Sequence, residues 1–359
     1  MPTHAPLTPR ERVQRALAHQ EPDCLPMHDS IWAATLSRWH REGLSDDLPA
    51  SEYFGFALCG FGPDLTPQYP VRVLERSSEY IVETTPYGGV RKNHRDRSTT
   101  PELIDYGVKT RADWEAAKRR LQPGYTRVDW VQLRQNYERA RADGLYITYN
   151  AITGYDLCQA YIRADELLPL LLTDPDWIRD IAETQADMAI EMARIMIGEG
   201  YRFDGAFLYN DMGYRNAPFF SPRTYRELFK PADRRMFDYF HSQGMAVILH
   251  SCGRVSPFIP DLIEIGLDCL QPLEVKAGMD LVELKREYGR DLAFMGGIDV
   301  RAMADPDPQA IEREVASKVP VAKAGGGYIY HSDHSIPNNV SFAQYCRVLE
   351  LVRKYGAYS

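Results

Sequence analysis

Apolar residues along the chain gather into short aliphatic runs, and between those runs the polar residues recur with a helical period. "LTPRERVQRALAHQEPD" sets Thr8 before Pro9 and Glu11, an N-cap, a first-turn proline and a capping-box acid that predict an amphipathic helix to about His19. "CLPMHDSI" then reads as a first strand, with His28 and Asp29 near its end. From Leu145 onward strand and helix alternate. The strands are "LYITYN" (145–150), "DGAFLYND" (204–211), "MAVILHSC" (245–252), "DCLQPLE" (268–274), "LAFMGGID" (292–299) and "GYIYHSDH" (327–334). The pattern predicts helices over 155–172, 175–198, 221–241, 257–265, 280–288, 307–322 and 341–354. Seven strand candidates alternating with helices point to an α/β chain closed as a single (β/α)8 TIM barrel over residues 1–359. No G-x-G-x-x-G follows any of these strands, which disfavours an open dinucleotide-binding sheet. Residues 51–110 differ in character. "YPVRVLERSSEYIVETTPYGGVRKNH" alternates apolar and polar residues around turn signals, so 51–110 reads as an antiparallel insertion near the N-terminal third that covers the barrel mouth.

Composition narrows the function classes. With 42 Lys+Arg against 50 Asp+Glu the net charge is −8, which argues against a nucleic-acid or anionic-membrane binder. No apolar stretch approaches the ~18 residues of a membrane span, and "MPTHAPLTPRERVQRALAHQ" lacks a signal-peptide core, so the expectation is a cytoplasmic protein. The six cysteines (Cys24, Cys59, Cys158, Cys252, Cys269, Cys346) show no pairing pattern, which leaves thiolates available as metal ligands.

In a parallel barrel, chemistry gathers where the strands end. Here those ends carry His28 and Asp29, Asn150, Asn210 and Asp211, His250 and Cys252, Gln271 and Glu274, Asp299, then His331, Asp333 and His334. His250 and Cys252 stand two apart at the end of an aliphatic strand, where alternation points both to one side, and imidazole and thiolate suit Zn2+. A lone H-x-C is a weak motif, and a cysteine is often only a small buried hydrophobe. A catalytic zinc site needs a third protein ligand and an open position. "YHSDHSIPNN" is the best source, with His334 the first choice and His331 and Glu274 the alternatives. Asp333 is expected to orient a ligand histidine, and Glu274 to be a fourth ligand that substrate displaces. Asp211 and Glu274 are the candidate catalytic carboxylates, though Asp211 reads equally well as a turn residue. His28, Asn150, Asn210 and Tyr209 are candidate substrate contacts, with wall packing the plainer role for the tyrosine.

"SPRTYRELFKPADRRMFDYFHSQGMAVILHSCGRV", "LIEIGLDCLQPLEVKAGMDLVELKREYGRDLAFMGGID" and "GGGYIYHSDHSIPNNVSFAQYCRVLELVRKYG" resemble the uroporphyrinogen decarboxylase superfamily over about residues 200–355, and "TPRERVQRALAHQEPDCLP" is similar too. The resemblance implies a (β/α)8 barrel. The decarboxylase branch carries an arginine-rich "MRQAGRY"-type stretch early in the chain, where this sequence has "MHDSIWAATLSRWHREG". The other branch, methyltransferases acting with corrinoid proteins, carries H-x-C for zinc, matched here by His250 and Cys252. Its third ligand is a cysteine in the last strand-end loop, where this sequence offers His334. The resemblance therefore implies a zinc-dependent methyltransferase, moving a methyl group between a small methylated compound and the cobalamin of a corrinoid partner protein, and is compatible with a homodimer. The rival expectations are a metal-independent decarboxylase of a carboxylated tetrapyrrole or small acid, and a non-catalytic corrinoid- or tetrapyrrole-binding barrel.

Overall fold

A computed structural model describes residues 6–95 and 100–358. In chain order the strands are β1 (Leu58–Phe61), β2 (Val73–Arg76), β3 (Tyr80–Thr84), β4 (Val90–His94), β5 (Glu102–Asp105), β6 (Tyr146–Ile152), β7 (Gly205–Tyr209), β8 (Ala246–His250), β9 (Cys269–Gln271), β10 (Ala293–Met295) and β11 (Tyr328–Ile329). Seven of them form a parallel sheet in the order β1-β6-β7-β8-β9-β10-β11. The eighth position belongs to residues 26–28. Met27 bridges Tyr330 in parallel, His28 N–H donates to the Tyr330 carbonyl (3.0 Å), and Ala57 N–H, beside β1, donates to the Met27 carbonyl (2.8 Å). The sheet thus closes on itself as a barrel, and the edges an open sheet would leave unpaired are removed.

The inward positions alternate along each strand and form layers. Leu58, Tyr146, Phe207, Ile248, Cys269, Ala293, Met295 and Ile329 make one buried cluster, joined by Val13 and Ala16. Those two residues belong to the helix Pro9–Leu17, whose Thr8–Glu11 capping box forms as the sequence predicts. The barrel interior is therefore a packed plug, floored by that helix. A second, larger core lies between the strands and the surrounding helices.

Two features differ from the sequence expectation. The antiparallel sheet, β2-β3-β4-β5, occupies only Val73–Asp105 of the 51–110 segment, and β1 within that segment is a barrel strand paired with β6. Two long predicted helices are also divided. Residues 155–172 become Gly154–Tyr161 and Ala164–Thr173, and 221–241 becomes Pro222–Leu228 and Lys230–Ser242, broken where Pro231 has no N–H to give. No helix among the described residues is long and apolar enough to cross a membrane.

Candidate metal centre at the barrel mouth

One step above the apolar plug, period-two alternation places a polar layer. Gly60, Thr148 and Asn150, Tyr209, His250, Gln271 and His331 continue the inward rows begun by Leu58, Tyr146, Phe207, Ile248, Cys269 and Ile329. They line a cavity of about 340 Å3, closed further out by Trp32, Asp211, Cys252, His334 and Ser335, and by Thr100 from the β4–β5 connection. Register brings Tyr209, His250 and Gln271 level with one another on β7, β8 and β9. Gly60 leaves room for the Asn150 amide, since a Cβ there would lie 2.3 Å from Asn150 Nδ2.

Among the described residues, the group of potential metal donors that converges is Asp211, His250 and Cys252, with their ligand atoms within 4.8 Å of one another. Cys252 Sγ lies 3.3 Å and Asp211 Oδ1 3.5 Å from His250 Nε2. Two loops create this meeting. Gly253 (φ +78°) packs so closely on Gly213 that a Cβ would lie 2.3 Å from its carbonyl carbon, and Cys252 N–H donates to Asp211 Oδ1 (2.7 Å). Glu274 Oε2 accepts from Gly253 N–H (2.6 Å), while its other oxygen pairs with Lys276 (2.9 Å). Glu274 thus braces the cysteine turn and does not line the cavity.

Burial is the main influence on the protonation of the donors. Burial holds the His250 imidazole below its ordinary pKa, against the upward pull of Asp211 and the Gln271 hydrogen bond, so the neutral ring keeps a lone pair on one nitrogen at neutral pH. Burial, then the Asp211 and Glu274 charges, push the Cys252 thiol far up, so a thiolate needs a positive partner. Burial and the nearby Asp211 charge also raise Asp156, on the helix Gly154–Tyr161, to about 7.

The other sequence candidates scatter. His334 lines this cavity and a neighbouring one, outside the three-donor cluster. His331 is buried, with Nδ1 donating to the Ser332 carbonyl (2.6 Å). Asp333 was expected to orient a histidine; it accepts instead from the Val275 and Val300 N–H groups (both 3.0 Å), and burial raises it to about 6. His28 lines the cavity with Nδ1 buried and unpartnered, and burial lowers it to about 3. Asn150 and Tyr209 line the cavity, Asn150 accepting from Thr148 Oγ1 (2.7 Å). Asn210 lies behind the wall, its Oδ1 accepting from Asp156 N–H (3.3 Å). Sequence reasoning missed Asp156, which stands in the first turn of a helix, where an acid is ordinarily explained by the helix dipole.

The family described as Uroporphyrinogen decarboxylase (URO-D) matches residues 157–355, more than half of the chain. A solved methyltransferase from Methanosarcina mazei shares the fold over 97% of this chain and 98% of its own, with a TM-score of 0.66 at 15% identity. An endo-β-1,4-xylanase from Gloeophyllum trabeum is 10% identical over 64% of this chain and 82% of its own (TM-score 0.41). A sugar phosphate isomerase/epimerase from Parabacteroides distasonis is 10% identical over 93% and 97% (TM-score 0.39). No curated protein matches the chain.

Proposed function

Because the chain belongs to the uroporphyrinogen decarboxylase family, we propose that it is a zinc-dependent methyltransferase, moving a methyl group between a small methylated compound and a corrinoid carrier protein. The observation that carries this reading is the convergence of His250 Nε2, Cys252 Sγ and Asp211 Oδ1 at the mouth of the barrel. One imidazole, one thiolate and one carboxylate make a donor set that fits zinc and leaves a position for substrate. Zinc held there would supply a Lewis acid that lowers the proton affinity of a thiol, hydroxyl or amine. The remaining work falls to the chain itself. Tyr209, Phe207 and Trp32 give the cavity apolar walls that exclude water from a small methylated group, and His28 and Asn150 offer polar contacts that orient it. His334, at the outer edge of the same cavity, stands where it meets whatever enters.

The decarboxylase alternative fares worse on charge. The cavity's lining among the described residues includes no lysine or arginine, whereas a polycarboxylate needs cations to replace its hydration. The test is a spectrophotometric screen of the zinc-loaded protein with reduced cobalamin and methylated thiols, amines and aryl ethers. Methylcobalamin appearing with one class, and lost in Cys252→Ser, is the expected result. No methyl transfer with any class, together with carbon dioxide release from uroporphyrinogen, contradicts the reading.

A further inference from the structure

We propose that Gln271 is the positioning residue that fixes which nitrogen of His250 carries the proton, and that its own orientation is dictated from across the barrel by His331. The inference rests on the metal-centre reading above. The Ser332 carbonyl only accepts, so His331 Nδ1, 2.6 Å away, must carry a hydrogen. Asp29 Oδ1, 3.5 Å from the same nitrogen, is likewise an acceptor. In the neutral imidazole Nε2 is then an acceptor. It faces Gln271 Nε2 at 3.3 Å and the Ser30 hydroxyl at 3.5 Å, both able to donate.

That contact decides the amide. With its NH2 turned toward His331, Gln271 presents Oε1 to His250 Nδ1 at 2.5 Å. An amide oxygen only accepts, so the His250 proton sits on Nδ1 and the lone pair on Nε2. Nε2 is the nitrogen that points at Cys252 Sγ and Asp211 Oδ1. Turned the other way, the amide would donate to Nδ1, move the proton to Nε2 and block that nitrogen. A buried glutamine (3% exposed) at the end of β9, between two histidines, thus links the turn that follows β11 to the donor that ends β8.

The experiment reads the tautomer directly. Long-range proton–nitrogen NMR of the metal-free protein, with isotope-labelled histidine, is compared for wild type, Gln271→Leu and Gln271→Glu. Zinc affinity is measured in parallel by competition with a chromophoric chelator. Wild type is expected to show His250 protonated at Nδ1. Gln271→Leu, which keeps the volume but not the acceptor, is expected to lose that preference and about 10–100-fold in zinc affinity. Gln271→Glu restores an acceptor facing Nδ1 and is expected to recover both. His250 protonated at Nε2 in the wild-type protein, or Gln271→Leu unchanged in tautomer and affinity, overturns the inference. A wild-type protein that takes up no zinc yet keeps the Nδ1 proton sinks the metal reading and supports the relay.

Discussion

At the scale of single residues, the cost of the site is the proton on Cys252. Burial and two neighbouring carboxylates hold this thiol protonated throughout the neutral range, and a metal bound through the sulfur would have to displace that proton. Zinc uptake is therefore expected to release about one proton per ion and to tighten as pH rises. Calorimetry in buffers of different ionisation enthalpy measures that release directly. Release near zero would mean that the sulfur is not a ligand. His28 follows the opposite logic. Burial lowers it to about 3, so the folded state holds it neutral. Below its unfolded pKa of about 6.5 the unfolded chain takes up a proton that the folded one refuses, and stability falls with pH through that window.

At the scale of elements, the site depends on two loops pressed together. Gly253→Ala puts a Cβ into the Gly213 backbone at a positive φ, and is expected to cost about 1–3 kcal/mol and to weaken zinc binding by separating Cys252 from Asp211. Gly278 has a similar φ (+85°) with nothing within 4 Å of its Cβ position, so Gly278→Ala should cost only about 1 kcal/mol and leave zinc uptake unchanged. Denaturant curves and zinc titrations of both variants separate backbone strain from collision. Equal effects would mean that the loop contact does not govern the site.

This contact also marks how far the sequence could be read. The aliphatic run ending in His250 and Cys252 announced a strand and a donor pair, because period-two alternation is a local property. β1 was not legible, since Leu58–Phe61 is four residues long, contains a glycine and precedes an antiparallel excursion that dominates the pattern. The company Asp211 keeps was hidden as well. "ND" after a strand suits a turn as well as a ligand, and only the approach of Gly213 to Gly253 sets its carboxylate beside the imidazole. Gln271 stood out as a strand-end residue, but its role was hidden for the same reason, because its partners lie 21 and 60 residues away in the chain.

At the scale of the whole molecule, buried carboxylates set a pH slope on stability. Asp233, on the helix Lys230–Ser242, is raised to about 7 by burial despite the Tyr225 hydroxyl donating to it (3.0 Å). Its folded pKa lies above the unfolded value of about 3.9, so its stabilising contribution is complete at low pH and is lost as pH rises from about 4 to 7. Asp233→Asn is expected to remove that loss, making the variant more stable than wild type at pH 8 by on the order of 2–4 kcal/mol and no more stable near pH 4. Denaturant unfolding at the two pH values checks the sign. A constant difference would mean that Asp233 is ionised in the folded state.

If the barrel mouth is a metal-holding frame, the metal content of the protein must follow its three converging donors. Elemental analysis of the purified, zinc-supplied protein is expected to give about one zinc per chain, lost in His250→Ala and Cys252→Ser and strongly reduced in Asp211→Asn. His334→Gln is expected to keep its zinc, because His334 stands outside the converging donors. No zinc in the wild type, or full zinc in all three donor variants, would mean that His250, Cys252 and Asp211 do not form a zinc site.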